Sequence, residues 1–385
     1  MEHQGMMLGI MITYLAVITA IGIYVGRKVK SSSDYAISGR NLPGWVAALS
    51  ERATGESAWA LLGLPGAAYA LGLTEMWTAI GCALGIILSW LFLAQKIRSE
   101  AEKYKADTYI DFIAKRHGST GRYIQIFGSL FIAFFFFFYV AAQFIGGGKT
   151  INEMFGLNIG FGILIVALFV IPYTIYGGFR SVAYTDVLQA IIMIITLVVG
   201  PIVGIYYIST NPDVFASTIP QAIQKSGEAY SNLTGMTKGF GSGIIIVTGL
   251  SWMFGYLGGM PQLTVRYMAI KNYSQAKKAR NIAISWTVLA YTGALLLRYI
   301  GLAIFGPNSS ELGDVETVMP AVIFKIFPPF IATILVTGAF AAMISTANSL
   351  LILTSTEISE NIVITINTEK DSLFQTFLFL EVLQH

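Results

Sequence analysis

The chain alternates between long apolar stretches and short polar connections. Nine stretches, each long enough to cross about 30 Å of hydrocarbon, predict membrane-spanning helices near residues 6–26, 44–70, 75–95, 123–145, 159–177, 185–208, 239–262, 281–305 and 327–355. The connections differ sharply in charge. One set carries Arg27, Lys28, Lys30 and Arg40, the run from Lys96 to Arg122, Arg180, and the run from Arg266 to Arg280; the other carries only Lys149, Lys225 and Lys238. Excess Lys and Arg mark the cytoplasmic side. Nine spans then place the N-terminus outside and the C-terminus in the cytoplasm, as expected of a multi-pass protein of the plasma (inner) membrane.

Composition agrees. A length of 385 residues would fit two or three soluble domains, but 55% hydrophobic residues, 12% charged residues and a mean hydropathy of +0.67 exclude them. Cys82 is the sole cysteine, so no intrachain disulfide forms, and its apolar neighbours suit packing. His3, His117 and His385 are too scattered to hold a metal. Residues 6–25 are followed by RKVK instead of a cleavage site and read as a retained helix, not a signal peptide.

Two spans are interrupted. The second contains ERATGESAWALLGLPG (residues 51–66) and the seventh contains GYLGGMPQ (residues 255–262). Irregular backbone at membrane depth is tolerated where it is buried in protein or lines an aqueous cavity. A pair of Gly/Pro-interrupted helices, each opening one half of a chain, points to an inverted-repeat transporter with its site at the breaks. The expected architecture is all-α, with one transmembrane domain over residues 1–360. It comprises a first helix at 6–26, a first repeat at 44–208, a partial second repeat at 239–357 and an atypical cytoplasmic tail at 361–385. The second repeat reads as incomplete, because LFQTFLFLEVL in the tail is too short to cross a bilayer.

Moving a hard cation needs oxygen ligands. A helix break frees carbonyls, and GAFAAMISTANSL in span nine (residues 338–350) offers Ser345, Thr346 and Ser349 among small residues that allow close helix approach. Taken alone, such hydroxyls more often bond back to their own helix. Glu56, Asp186 and Arg298 lie at membrane depth, where a charge costs about 2.5–3.5 kcal/mol on insertion scales and is a functional candidate by default. Bland readings stand beside each. Arg52 and Glu56 can neutralise one another at i,i+4, Asp186 can sit hydrated near the cytoplasmic end of its span, and Arg298 can snorkel outward. Trp252 and Tyr256 suit the wall of a small-solute pocket or ordinary helix packing. FFFFFY (residues 134–139) reads as lipid-facing or packing bulk. GFGSG (residues 239–243) has no preceding strand and is discarded as a phosphate loop.

Four stretches, in order, carry a resemblance. They are ERATGESAWALLGLPGAAYALGLTEMW, PYTIYGGFRSVAYTDVLQ, SWMFGYLGGMPQLTVRYMA and AAMISTANSLLILTSTEIS, and together they resemble the sodium:solute symporters, most closely the sodium/proline symporters. The resemblance runs from the N-terminus to about residue 360. It implies a LeuT-type core of inverted repeats and no enzymatic chemistry. It implies a sodium site from the carbonyls of Ala53, Glu56 and Ala342 with the hydroxyls of Ser345 and Thr346. Asp186 and Ser349 match a second cation site of some relatives, although Asn348 stands in place of a hydroxyl there. Substrate contacts would fall on Trp59, Tyr139, Gln143, Trp252, Tyr256 and Pro261. Gly55 stands where sodium/proline symporters typically carry Asp, the acid being Glu56 instead, and GYLGGMP is one residue longer than the usual spacing.

The function implied is Na+-coupled import of a small polar solute, L-proline foremost, by alternating access. The partners are Na+, the solute and the lipid bilayer; no nucleic acid and no cofactor beyond the coupling ion is expected. Alternatives are another solute (a sugar, sialic acid, pantothenate or a different amino acid), a sensory membrane module, or a truncated, inactive fragment of such a symporter.

Overall fold

The structure is a computed structural model and describes residues 4–363. Its helices run α1 (Gln4–Gly26), α2 (Ser32–Ile37), α3 (Gly44–Ala58), α4 (Leu64–Leu71), α5 (Met76–Leu88), α6 (Ala94–Lys103), α7 (Tyr109–Lys115), α8 (Gly121–Phe155), α9 (Ile159–Thr210), α10 (Ile219–Lys225), α11 (Glu228–Ser231), α12 (Phe240–Tyr256), α13 (Pro261–Ala269), α14 (Tyr273–Phe305), α15 (Val318–Ile326) and α16 (Pro329–Glu357). No β-strand occurs among the described residues; a single parallel bridge joins Leu42 to Ile270. Most of the expected tail, residues 364–385, lies outside the described residues.

Among the described residues, seven helical stretches are long and apolar enough to cross a membrane, and a shorter apolar helix, Ile159–Pro172, precedes one of them. From Gly44 to Lys103 the helix is nearly continuous. A straight helix would hold residues 51 and 90 about 58 Å apart at 1.5 Å per residue. Instead Trp90 Nε1 donates to Glu51 at 3.0 Å, so the chain reverses between them. The reversal falls at Gly72, whose φ of +73° suits glycine.

Helix α9 reverses too. Thr174 meets Asn348 and Asp186 meets Ser345, while Thr196 meets the Leu335 carbonyl. The second arm therefore runs antiparallel to α16, and the fold-back is at Gly178 (φ +56°, ψ −161°). A Cβ there would lie 2.5 Å from the Tyr35 ring, so only glycine fits. The second arm begins immediately after Gly178, several residues before the predicted start at 185, which carries Asp186 into the protein interior instead of leaving it hydrated at the span's end.

Burial sorts the passes. Met7, Met11, Tyr14, Leu15 and Ile18 form a buried stripe of α1, and the last four pack with Val166, Val170, Phe340 and Ile344. Phe134, Phe135, Phe137 and Phe138 of α8 are each more than half exposed, as side chains facing lipid should be. Helix α16 is the opposite case. Almost all of it is covered, and its small residues admit neighbours closely. The α9–α14 contact is equally tight: a Cβ on Gly293 would lie 1.9 Å from the Leu197 carbonyl oxygen. Gly293→Val should therefore force the two helices apart, costing at least the roughly 1–3 kcal/mol of ordinary overpacking. The expected readout is a sharp loss of monodisperse, detergent-extracted protein, with Gly255→Val, which meets nothing within 4 Å, as the tolerant control.

At one end of the bundle Lys149 of α8 pairs with Asp314 at 2.7 Å and with Glu316. Partial burial works against ionisation of Asp314, but the hydrogen bonds from Lys149 and the Glu316 N–H, with the charge of Lys149, together outweigh it and hold the carboxyl below its ordinary range. A carboxylate with a lowered value keeps its contribution at neutral pH and loses it only as pH falls through that value, so the link is closed across the physiological range. At the other end Glu357 accepts from the backbone N–H groups of Tyr109 and Ile110 and from Ser129 and Asn361. These bonds fix α7 and α8 to the last turn of α16.

Candidate functional site

The first break has a specific cause. Ser57 adopts φ +53°, ψ −169°, which interrupts α3 and is followed by a wide helical turn over Trp59–Gly63. Such an interruption leaves backbone donors and acceptors without their usual partners. Gln143 supplies one replacement, accepting from Ala58 N–H at 3.0 Å. Ser57 Oγ accepts from Trp59 N–H at 3.0 Å, and the Tyr139 hydroxyl reaches the same oxygen at 3.3 Å. Gln143 and Tyr139 thus fix the shape of the break.

Helix α16 brings its hydroxyls to this place. Thr346 Oγ1 donates to the carbonyl of Thr54 at 2.9 Å and lies 3.0 Å from that of Ala342. Ser345 Oγ donates to Asp186 at 2.6 Å and is 3.2 Å from the Thr54 hydroxyl. Ala53, Glu56, Ala342, Ser345 and Thr346 are all buried here. The backbone oxygen in contact with Thr346 is that of Thr54, between the expected Ala53 and Glu56. What gathers is a set of oxygens from α3, α9 and α16, the donor type that a hard cation takes.

Beside it lies a group that the charge pattern had assigned to a cytoplasmic connection. Arg266 is fully buried. Its Nη2 donates to Asp186 at 2.9 Å, to Thr54 Oγ1 at 2.6 Å and to Ser349 Oγ at 2.6 Å, its Nε donates to Ser50 Oγ at 2.7 Å and its Nη1 to the Gln262 carbonyl. Ser50 in turn donates to Asp186 at 2.5 Å. The Asp186–Ser349 constellation is therefore built around a guanidinium. The signal for it in the sequence was faint: a lone Arg in PQLTVRYMA, directly after the second break.

A second ionic group lies in the middle of α3. Arg52 engages Glu51 with Nε at 2.6 Å and also with Nη2, and reaches Thr287 at 3.4 Å with Nη1. The expected Arg52–Glu56 contact is the longer one, at 3.8 Å. Trp90 donates to Glu51, and its ring meets Tyr267 edge-on at 4.7 Å. Arg298 does not snorkel. It is buried, donates to the Gly72 carbonyl at 2.6 Å and stacks on Tyr299 at 3.8 Å. It secures the α4–α5 turn instead of joining a transport site.

The aromatic expectations converge at the two breaks. Trp59 and Trp252 stack with centroids 4.8 Å apart and planes within 10°. The Tyr256 hydroxyl lies 3.5 Å from the Gly55 carbonyl, linking α12 to α3. α12 ends at Tyr256, Gly258 takes φ +79°, and Pro261 opens α13. Both interruptions predicted from sequence are thus present and in contact.

The profile of the sodium:solute symporter family matches residues 35–380. The chain belongs to the sodium:solute symporter family. Sodium/proline symporter 2 of Staphylococcus saprophyticus is 33% identical over 352 residues, covering 91% of this chain and 67% of that protein. A high-affinity proline transporter of Bacillus subtilis is 33% identical over 343 residues, covering 89% of this chain and 70% of that one. The chain spans about two thirds of the length of the curated relatives it matches. A Na+-coupled sialic acid symporter, solved in a substrate-bound, outward-open state, superposes with a TM-score of 0.78 at 18% identity, over 98% of this chain and 78% of that one. That likeness shows the fold, which is the LeuT-type helical core expected. Sodium:solute symporters are membrane transporters and not enzymes, and the apolar, lipid-facing passes of this family member agree.

Proposed function

We propose that this chain is a Na+-coupled secondary active symporter that imports a small polar solute, with L-proline the leading candidate, by alternating access. The observation that carries the reading is the Thr346 hydroxyl bridging the Thr54 carbonyl at the helix break to the Ala342 carbonyl of its own helix. A Na+ ion among these oxygens and Ser345 would tie α3 to α16 and favour one arrangement of the break. Ala53 and Glu56 offer the neighbouring carbonyls. Trp59, Tyr139, Gln143, Trp252, Tyr256 and Pro261 would surround the solute. Proline is favoured because both relatives above are named for it.

Arg266 bears on stoichiometry. Its guanidinium already neutralises Asp186 and engages Ser349, so a second metal ion at Asp186 and Ser349 would have to displace a buried ion pair. The reading is one Na+ per solute, with Arg266 as the resident cation. Inward movement of one charge across 100 mV contributes about 2.3 kcal/mol to accumulation. The orientation follows from the Lys and Arg bias: N-terminus outside, C-terminus cytoplasmic, in the plasma membrane.

The test is uptake of labelled L-proline by proteoliposomes under an inward Na+ gradient. The expected result is Na+-dependent accumulation with a Hill coefficient for Na+ near unity. Accumulation of a different solute would move the substrate assignment; uptake indifferent to Na+ would overturn the coupling.

A further inference from the structure

Among the buried acids beside the first break, one lacks a close partner. Asp186 is matched by Arg266, and Glu51 by Arg52. Glu56 remains. It is completely buried, one residue before the break, and neither carboxylate oxygen has a hydrogen-bond partner among the described residues. Arg52 stands 3.8 Å away with its other nitrogens committed to Glu51.

Three neutral donors in the same neighbourhood are equally unmatched: the indole N–H groups of Trp59 and Trp286 and the hydroxyl of Tyr291. Trp286 lies beside Glu56 without reaching hydrogen-bond geometry. Cys82 is close enough to Trp59, Tyr291 and Glu56 to interact with each of them. Unsatisfied buried polar groups are rare and costly, and four such side chains converging beside a helix break point to a ligand.

The chemistry of the set indicates its class. A buried carboxylate with no hydrogen bond and only a 3.8 Å guanidinium contact favours a further cation. Indole N–H groups are donors only and cannot ligate a metal ion, so a bare cation would leave them unsatisfied. They require acceptor oxygens. A zwitterion carries both complements a few ångströms apart. We propose that the Glu56 carboxylate binds the cationic nitrogen of a zwitterionic amino-acid solute, while Trp59, Trp286 and Tyr291 face its carboxylate. Glu56 then selects amino acids over sugars and carboxylic acids that lack an amine. The proposal rests on the symporter reading and assigns its selectivity to a side chain.

The experiment pairs binding with transport. Equilibrium binding of L-proline and of tetrahydrofuran-2-carboxylate, whose ring oxygen replaces the charged nitrogen, is measured on the purified full chain. Uptake of both is measured in proteoliposomes. Wild type, Glu56→Gln and Glu56→Asp are compared, each first checked for monodisperse, folded protein. Wild type should prefer proline by about tenfold or more. Glu56→Gln should abolish that preference, while Glu56→Asp retains part of it, both measured at saturating Na+. An unchanged preference in folded Glu56→Gln overturns the proposal. So does a loss of Na+ affinity with the preference intact, which would make the carboxylate an ion ligand. Proline binding that depends on Glu56 without Na+-driven uptake would sustain the zwitterion site and defeat the symporter reading, so the two fail separately.

Discussion

Asp186→Asn should unfold or nearly unfold the protein. The Asp186–Arg266 pair has no exposure to solvent, and removing one partner leaves a buried guanidinium uncompensated, at a cost of about 3–5 kcal/mol. The loss spreads further, because Ser50 and Ser345 both donate to the same carboxylate. Asn keeps one acceptor but not the charge. The measurement is the thermal unfolding midpoint in detergent, followed by intrinsic fluorescence. A double variant separates charge from shape. Asp186→Leu with Arg266→Met removes both charges, and replacing a buried pair by apolar groups is often neutral or stabilising. The double variant should recover most of the midpoint lost by Asp186→Asn, while its transport stays impaired. A midpoint for Asp186→Asn equal to wild type would mean that the pair is not closed off from water.

The second large effect concerns the ion. Thr346→Val keeps the shape of the side chain and removes the oxygen that spans Thr54 and Ala342. It should raise the Na+ concentration for half-maximal uptake by about tenfold or more, equivalent to roughly 1.4 kcal/mol. Solute binding at saturating Na+ should change little. Ser345→Ala should act in the same direction and also weaken the hold on Asp186, so it should lower thermal stability where Thr346→Val does not. If both variants retain wild-type Na+ dependence, the ion is bound elsewhere.

Much of this was legible in the chain because a membrane imposes strict spelling. A span must be apolar for about twenty residues, so nine passes could be counted and the two interrupted ones singled out. The Gly178 fold-back was visible as a boundary between two apolar stretches, though not its abruptness. Ser345, Thr346 and Asp186 stood out as polar groups where polarity is expensive, and the structure brings them together with the first break. Arg266 escaped because its sign and its place after a span resembled topology signals; a charge pattern cannot distinguish a guanidinium on the surface from one folded inward. The pairing of Arg52 was ambiguous for another reason. Helical spacing favours Glu56 at i+4, but the planar fork of Arg matches a carboxylate two-pronged, and Glu51 offers that geometry. Trp286 and Tyr291 gave no signal, since aromatic residues on a membrane helix resemble any others until something faces them.

The joint at Gly178 has a mechanical consequence. The first arm of α9 contacts Asn348 through Thr174, and the second carries Asp186 against Ser345. Between them is one residue, wedged against Tyr35 of α2. With so short a joint, the relative direction of the two arms depends on the φ and ψ of that one residue. The two arms form a bent lever with Gly178 as its fulcrum. The angle between the two arms is therefore set at one residue, and Tyr35, packed against it, is where that joint meets the segment connecting α1 to α3.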